Sequence, residues 1–175
     1  MAVREVLLFP DPALKQVARE LAMEERAGPA HDREVVERVA RDLLDTMRAH
    51  TGCVGLAAPQ LGELVRMVVV DVTGHRKTTE CHGLMLLVNP VVVRSSGAEV
   101  AREGCLSIPQ LTANVRRATQ LVLAAATPSG DPVEIETQGF EARCLLHELD
   151  HLDGILFLDR VDSLRTDVFR RKTYR

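Results

Sequence analysis

Residues 147 to 151 read His-Glu-Leu-Asp-His, the residue types from which a hydrolytic metal centre is built. On a helix, residues four apart stand one above the other. His147 and His151 then project from one face and can share a cation. Glu148 reaches the open side of that cation without binding it, the place of a general base for water activated by the metal. With 6 His in 175 residues, the pattern arises by chance only ~0.016 times against the motif definition. It is therefore read as a site. Phe140, Leu145, Leu146, Leu149 and Leu152 supply the apolar surroundings that a dry site needs.

Two imidazoles do not complete such a centre, which takes three protein ligands and one open position. No His or Glu follows His151, only Asp153, Asp159, Asp162 and Asp167. The longer histidine motif of the metzincin proteases is absent as well. The third ligand is sought upstream, among Cys105, Cys53, Cys81, His82, His50 and His75. Cys81, His82 and His75 fall in a polar loop and His50 ends a helix, so these read as surface residues. Cys144 lies too close to His147 on one helix to share its ion well, and reads as a packed thiol lining the site. Cys105, in "REGCLSIPQ", ranks first, with the alternatives open.

Three blocks in order, "GLAAPQ" at 55–60, "EGCLS" at 103–107 and "HELDH" at 147–151, give the chain a resemblance to the peptide deformylases. These enzymes remove the formyl group from nascent bacterial polypeptides. The resemblance covers most of the chain. It implies an α+β fold, with small, mostly antiparallel sheets packed around the HExxH helix. It implies that Cys105, His147 and His151 bind the metal and that Glu148 is the base. It further implies that Gln60 and the backbone N–H of Leu106 would hold the substrate carbonyl oxygen, with the formyl group in the tight space by Gly55. Val54, Leu106, Phe140 and Cys144 are candidates by motif position for the methionine pocket, and read equally well as plain core. The metal implied is ferrous iron in the cell, with zinc or nickel able to take the same ligands. The first block departs from the family at Cys53, where a glycine is usual. That puts close approach of substrate there in doubt and adds a thiol open to oxidation near the metal.

The elements that must position these residues follow from patterning. Asp11 and Pro12 start a short helix over "DPALKQVARELA". "EERAGPAHD", residues 24–32, reads as a loop, with Asp32 capping a longer helix whose Val35, Val39, Leu43 and Met47 recur every four residues. Gly52 ends it, and "CVGLAAPQLG" reads as a turn. "RMVVVDVT" and "LMLLVNPVVVR" read as strands joined by the polar "GHRKTTECHG". "LVLAAAT" and "PVEIETQ" form a hairpin around "PSGD". A helix spans Gly139 to Leu152, closed by Gly154, and a last helix runs from Asp162 to about Arg171. Glu103 and Arg117 are expected to form a buried pair behind Cys105. Asp150 is expected to bond nearby backbone.

The length suits one domain, residues 1–175. Aromatics are 3% of the chain, with no Trp, which argues against stacking on nucleic-acid bases, and DNA is not an expected partner. Net charge is −3, yet Arg160 to Arg175 carries five Arg and one Lys against Asp162 and Asp167. A basic C-terminal helix with Arg165, Arg170, Arg171 and Lys172 is a candidate for docking on ribosomal RNA. The four Cys show no CxxC pairing and read as free thiols or ligands. There is no signal-like N-terminus and no run of ~18 apolar residues, so a cytoplasmic protein is expected. An HExxH endopeptidase and a non-catalytic metal sensor are the competing readings. Glu148 argues against the sensor, since a purely structural site needs no base.

Overall fold

The computed structural model describes residues 3–23 and 30–171. Helix α1 spans Ala30–Ala49 and α2 spans Gly139–Leu152. The strands are β1 (Gly55–Ala57), β2 (Met67–Val70), β3 (Met85–Ser96), β4 (Glu99–Cys105), β5 (Ile108–Arg117), β6 (Gln120–Ala126), β7 (Pro132–Gln138) and β8 (Val168–Arg170). They form two antiparallel sheets, ordered β1-β2-β3-β6-β7 and β4-β5-β8. This is the expected α+β architecture.

The valine run explains how the larger sheet is held. All four residues of β2 are buried, because the sheet carries a helix on each face. Val68 and Val70 point into the cluster containing Leu145, Leu149 and Leu152 of α2. Met67 and Val69 point into the one containing Val36, Val39, Leu43 and Met47 of α1. Alternation along a strand sends successive side chains to opposite faces, so a strand covered on both sides reads as a continuous apolar run. Burying each such side chain contributes about 1.5–3 kcal/mol.

α2 lies between the two sheets. Its leucines face the larger one. Arg143, His147 and Asp150 bond to the smaller one, through Glu103 of β4 and Arg117 of β5. The motif helix is thus apolar on one side and polar on the other.

Several expectations are corrected. The first helix is only a 3-10 turn, Pro12–Lys15, with Asp11 capping it through Ala13 N. Beyond it the backbone is captured by other segments: Ala18 N–H donates to Leu152 O and Arg19 N–H to Leu64 O. Of the expected loop 24–32, residues 24–29 lie outside the described residues, and 30–32 are already helical. Asp32 sits in the first turn of α1, where its carboxylate receives Arg19 and Ala22 N–H. The "GLAAPQ" block is a short strand running into a 3-10 turn, Ala58–Leu61.

The last helix is absent over the described residues. Val168 to Arg170 instead pairs with Ala113 to Leu111 at the free edge of β5. Thr166, Val168 and Phe169 suit a strand, and an exposed sheet edge offers them ready hydrogen-bond partners. Lys172 lies outside the described residues.

Candidate metal centre

β4 ends at Cys105, and a two-residue turn, Leu106–Ser107, leads into β5 at Ile108. This hairpin tip meets the polar face of α2. The ligating atoms of Cys105, His147 and His151 all lie within 4.8 Å of one another, the one such group found among the described residues. Cys105 Sγ is 3.2 Å from His151 Nε2. The imidazoles meet edge to face, with centroids 5.1 Å apart. His147 Nδ1 is 3.0 Å from Glu103 Oε2, which leaves Nε2 as the atom His147 can offer. Such a carboxylate fixes the tautomer and orientation of a ligating ring.

The electrostatics suit a cation. Burial pushes the Cys105 thiol up, but the charge of His151 and the hydrogen bonds of His147 and His151 prevail and hold it well below the ordinary thiol range. Thiolate is the form that ligates a metal. Burial lowers His147, yet Cys105 and Glu103 together hold it well above its usual value. The two shifts are complementary: the imidazoles favour the thiolate, and the thiolate and Glu103 favour the imidazolium.

Glu148 lies beside the ligands, 4% exposed. Burial pushes it up to about 7, against the pull of His147 and His151. Its Oε2 and the Nδ1 of His151 are buried with no hydrogen-bond partner among the described residues. Buried polar atoms are normally satisfied, so a carboxylate oxygen held this way is aimed at something the fold expects to receive. The donor set (one thiolate and two imidazoles, with a free carboxylate beside them) fits a divalent transition metal.

A chain of charged pairs anchors the centre. Arg117 grips Glu103 with two hydrogen bonds of 2.7 and 3.0 Å, and both side chains are 5% exposed. Burial pushes Glu103 up, but His147 and Arg117 hold it at about 2. Arg143 adds a third donor to Glu103 at 2.8 Å. Arg117 also donates to Asp150 at 2.7 Å, and Arg160 takes the other oxygen of Asp150 at 2.7 Å. The expected Glu103–Arg117 pair is present. Asp150 bonds arginines rather than nearby backbone, because a buried carboxylate is best satisfied by charged donors. Arg143 and Arg160 were not singled out from sequence, although an arginine one turn before His147 on the motif helix is a usable signal.

Gln60 is buried at the end of the first block. Its Oε1 accepts from Ala57 N, and its Nε2 donates to Ser107 Oγ at 3.1 Å and Cys105 Sγ at 3.4 Å. The amide nitrogen therefore faces the ligands. Ser107, the last residue of "EGCLS", is the member of that block whose part sequence reading missed. Gly55 is fixed by close approach: a Cβ there would lie 2.6 Å from Glu148 Oε1.

A cavity of about 280 Å³ opens beside these groups, lined among others by Val54, Gly55, Gln60, Leu106, Phe140 and Cys144. Cys53 lines it as well. Burial, then the charge of Glu148, pushes the Cys53 thiol up to about 12. Its Sγ donates to Gly55 O, so it is held as a neutral, weakly reactive thiol. The other candidates lie outside the convergent ligand group, although His75 also lines the cavity. His75 stacks on Phe140 at 4.2 Å, His82 bonds Glu141, and His50 bonds Thr46 O. Cys81 is exposed.

A soft three-ligand set with a base one residue along the helix from the first histidine is the arrangement of a metal-assisted hydrolase. Comparison with known proteins makes the class specific. Residues 3–167 match the polypeptide deformylase family. A peptide deformylase of Thermodesulfovibrio yellowstonii is 37% identical over 172 residues, covering 98% of this chain and 97% of that one. One from Thermomicrobium roseum is 41% identical over 167 residues, covering 95% and 90%. The crystal structure of a peptide deformylase from Legionella pneumophila superposes with a TM-score of 0.78 at 36% identity, covering 94% and 89%. The chain belongs to the polypeptide deformylase family, hydrolases that remove the N-terminal formyl group from newly made polypeptides.

Proposed function

We propose that residues 1–175 act as one catalytic domain in which Cys105, His147 and His151 hold a single divalent cation. A cation bound there acidifies water and polarises the formyl carbonyl. Glu148 accepts the proton of the attacking water and passes it to the departing amine as formate leaves. The Gln60 amide and the Leu106 backbone N–H donate to the carbonyl oxygen as it gains charge, and losing one such donor costs about 3 kcal/mol. Gly55, hard against Glu148, leaves room for a formyl group and excludes a larger acyl group. Val54, Leu106, Phe140 and Cys144 receive the methionine side chain.

The single observation that carries this reading is the buried Glu148 Oε2, without a hydrogen-bond partner among the described residues, beside three convergent ligand atoms. A structural site has no use for such a carboxylate. By the family resemblance the cation is ferrous iron in the cell; the thiolate-imidazole set suits zinc and nickel equally. Formate release from N-formyl-Met-Ala-Ser without internal cleavage, by anaerobically purified protein with measured metal content, tests the reading. Internal cleavage would favour an endopeptidase.

The enzyme works in the cytoplasm, where its substrates emerge. No helix among the described residues is long and apolar enough to cross a membrane. The basic tail, with Arg165 and Arg170 exposed, docks on ribosomal RNA from an edge strand and its preceding turn. Such binding weakens steeply with salt. A chain truncated before Asp162 that bound ribosomes as well as the full chain would refute it.

A further inference from the structure

The C-terminal strand delivers a cation to the mouth of the cavity. Arg171 N–H donates to Gln110 O at 2.8 Å, continuing the β8–β5 pairing by one residue. Its side chain turns back over β4, where a Cβ on Gly104 would overlap the guanidinium. Gly104 immediately precedes Cys105. Arg171 thereby lines the cavity, together with Arg102 and Lys77.

These three are exposed. Arg102 is pinned: its guanidinium lies 3.5 Å from the Phe169 ring centroid and bonds Asn114 and Thr112 side chains. Lys77 Nζ lies over the Phe140 ring. Among the described residues none of the three has a carboxylate partner. The carboxylates lining the cavity are Glu103 and Glu148. Glu103 is consumed by Arg117, Arg143 and His147, and Glu148 is buried beside the ligands. Among the described residues, the charged side chains at the outer rim are therefore all positive, in a chain whose net charge is −3. A cleft edged by one sign of charge attracts the opposite sign.

We infer that Arg171, with Arg102 and Lys77, is a specificity-determining rim that favours formyl-peptides bearing an acidic side chain at the second to fourth residue. The inference rests on the deformylase reading above. A peptide whose formyl group is at Glu148 must leave through the mouth these cations edge, and its next few side chains pass within their reach. Arg171 is the discriminating member, since its guanidinium carries no hydrogen bond among the described residues.

The test is a series of C-terminally amidated formyl-Met-Ala-Ser-Ala peptides carrying one Glu, Gln or Lys at residue two, three or four. Amidation leaves the side chain as the only carboxylate. At low ionic strength kcat/KM for the best Glu peptide is expected to exceed its Lys counterpart by about fivefold, the scale of exposed ion pairs. The ratio should fall towards one in 0.5 M salt. Arg171→Gln should shrink it and Arg171→Glu should invert it. Equal rates for Glu and Lys peptides in the unaltered enzyme, or a preference that survives Arg171→Glu, would overturn the rim while leaving deformylation standing. No formate from any peptide, with the metal site loaded, would instead remove the activity on which it rests.

Discussion

Glu148 occupies the space that a side chain at position 55 would need: a Cβ on Gly55 falls 2.6 Å from its Oε1. The glycine of one block and the base of another, 93 positions apart, are thus fitted to each other. Gly55→Ala should push the carboxylate out of line without touching a ligand. A displacement of about 1 Å costs on the order of a hundredfold in rate. Steady-state formate release alongside metal content should show a large loss of kcat with full metal. Unchanged kcat would mean that Glu148 needs no such confinement.

Arg117 is the hub of the charged chain behind the centre. Arg117→Met leaves the buried Glu103 and Asp150 short of their donors, and stranding a buried charge costs about 3–5 kcal/mol. Denaturant unfolding should move to much lower midpoints. Because Glu103 also steadies His147, metal affinity should fall by roughly 10–100-fold. Arg117→Lys should rescue little, since one ammonium cannot reproduce the fork.

Ser107 tests how Gln60 is aimed. Ser107→Ala removes the 3.1 Å partner of Gln60 Nε2. The amide then swings more freely, and kcat should drop by about three- to tenfold, the scale of one net hydrogen bond. Gln60→Leu should lose about a hundredfold or more, as for an oxyanion donor. Equal losses in the two variants would mean that Ser107 acts directly rather than through Gln60.

The four cysteines should separate by reactivity. With metal bound, iodoacetamide at pH 7.5 should label the exposed Cys81 first. Cys53, pushed up to about 12, and Cys144, pushed higher still by burial, stay almost wholly as thiols at that pH. Chelation should then expose Cys105, whose thiolate is favoured by His151 and His147. Peptide mapping that found Cys105 equally labelled before and after chelation would argue that it is not a ligand.

What the sequence revealed tracks what is local. His147, Glu148 and His151 were legible because helical spacing alone puts them on one face. α2 was bounded correctly because Gly139 and Gly154 flank an apolar period. The β2 run was legible for the same reason: burial on both faces leaves no polar residue to obscure it. The strand holding Cys105 was not legible. β4 reads Glu-Val-Ala-Arg-Glu-Gly-Cys, and its charges reflect partners on α2 and the cavity rather than strand propensity. The C-terminal strand was read as a helix because its preference is settled by the open edge of β5. The arginine donors to Asp150 come from ten and thirty-three positions away, a relation no spacing rule encodes.

The most direct measurement pairs metal content with formate release for the unaltered enzyme and Glu148→Gln, both purified without oxygen. One divalent metal per chain in each, with release from formyl-Met-Ala-Ser lowered by at least about a thousandfold in the variant, is the expected result. Undiminished release by Glu148→Gln, or full activity in a chain stripped of metal, would contradict a base acting beside a cation held by Cys105, His147 and His151.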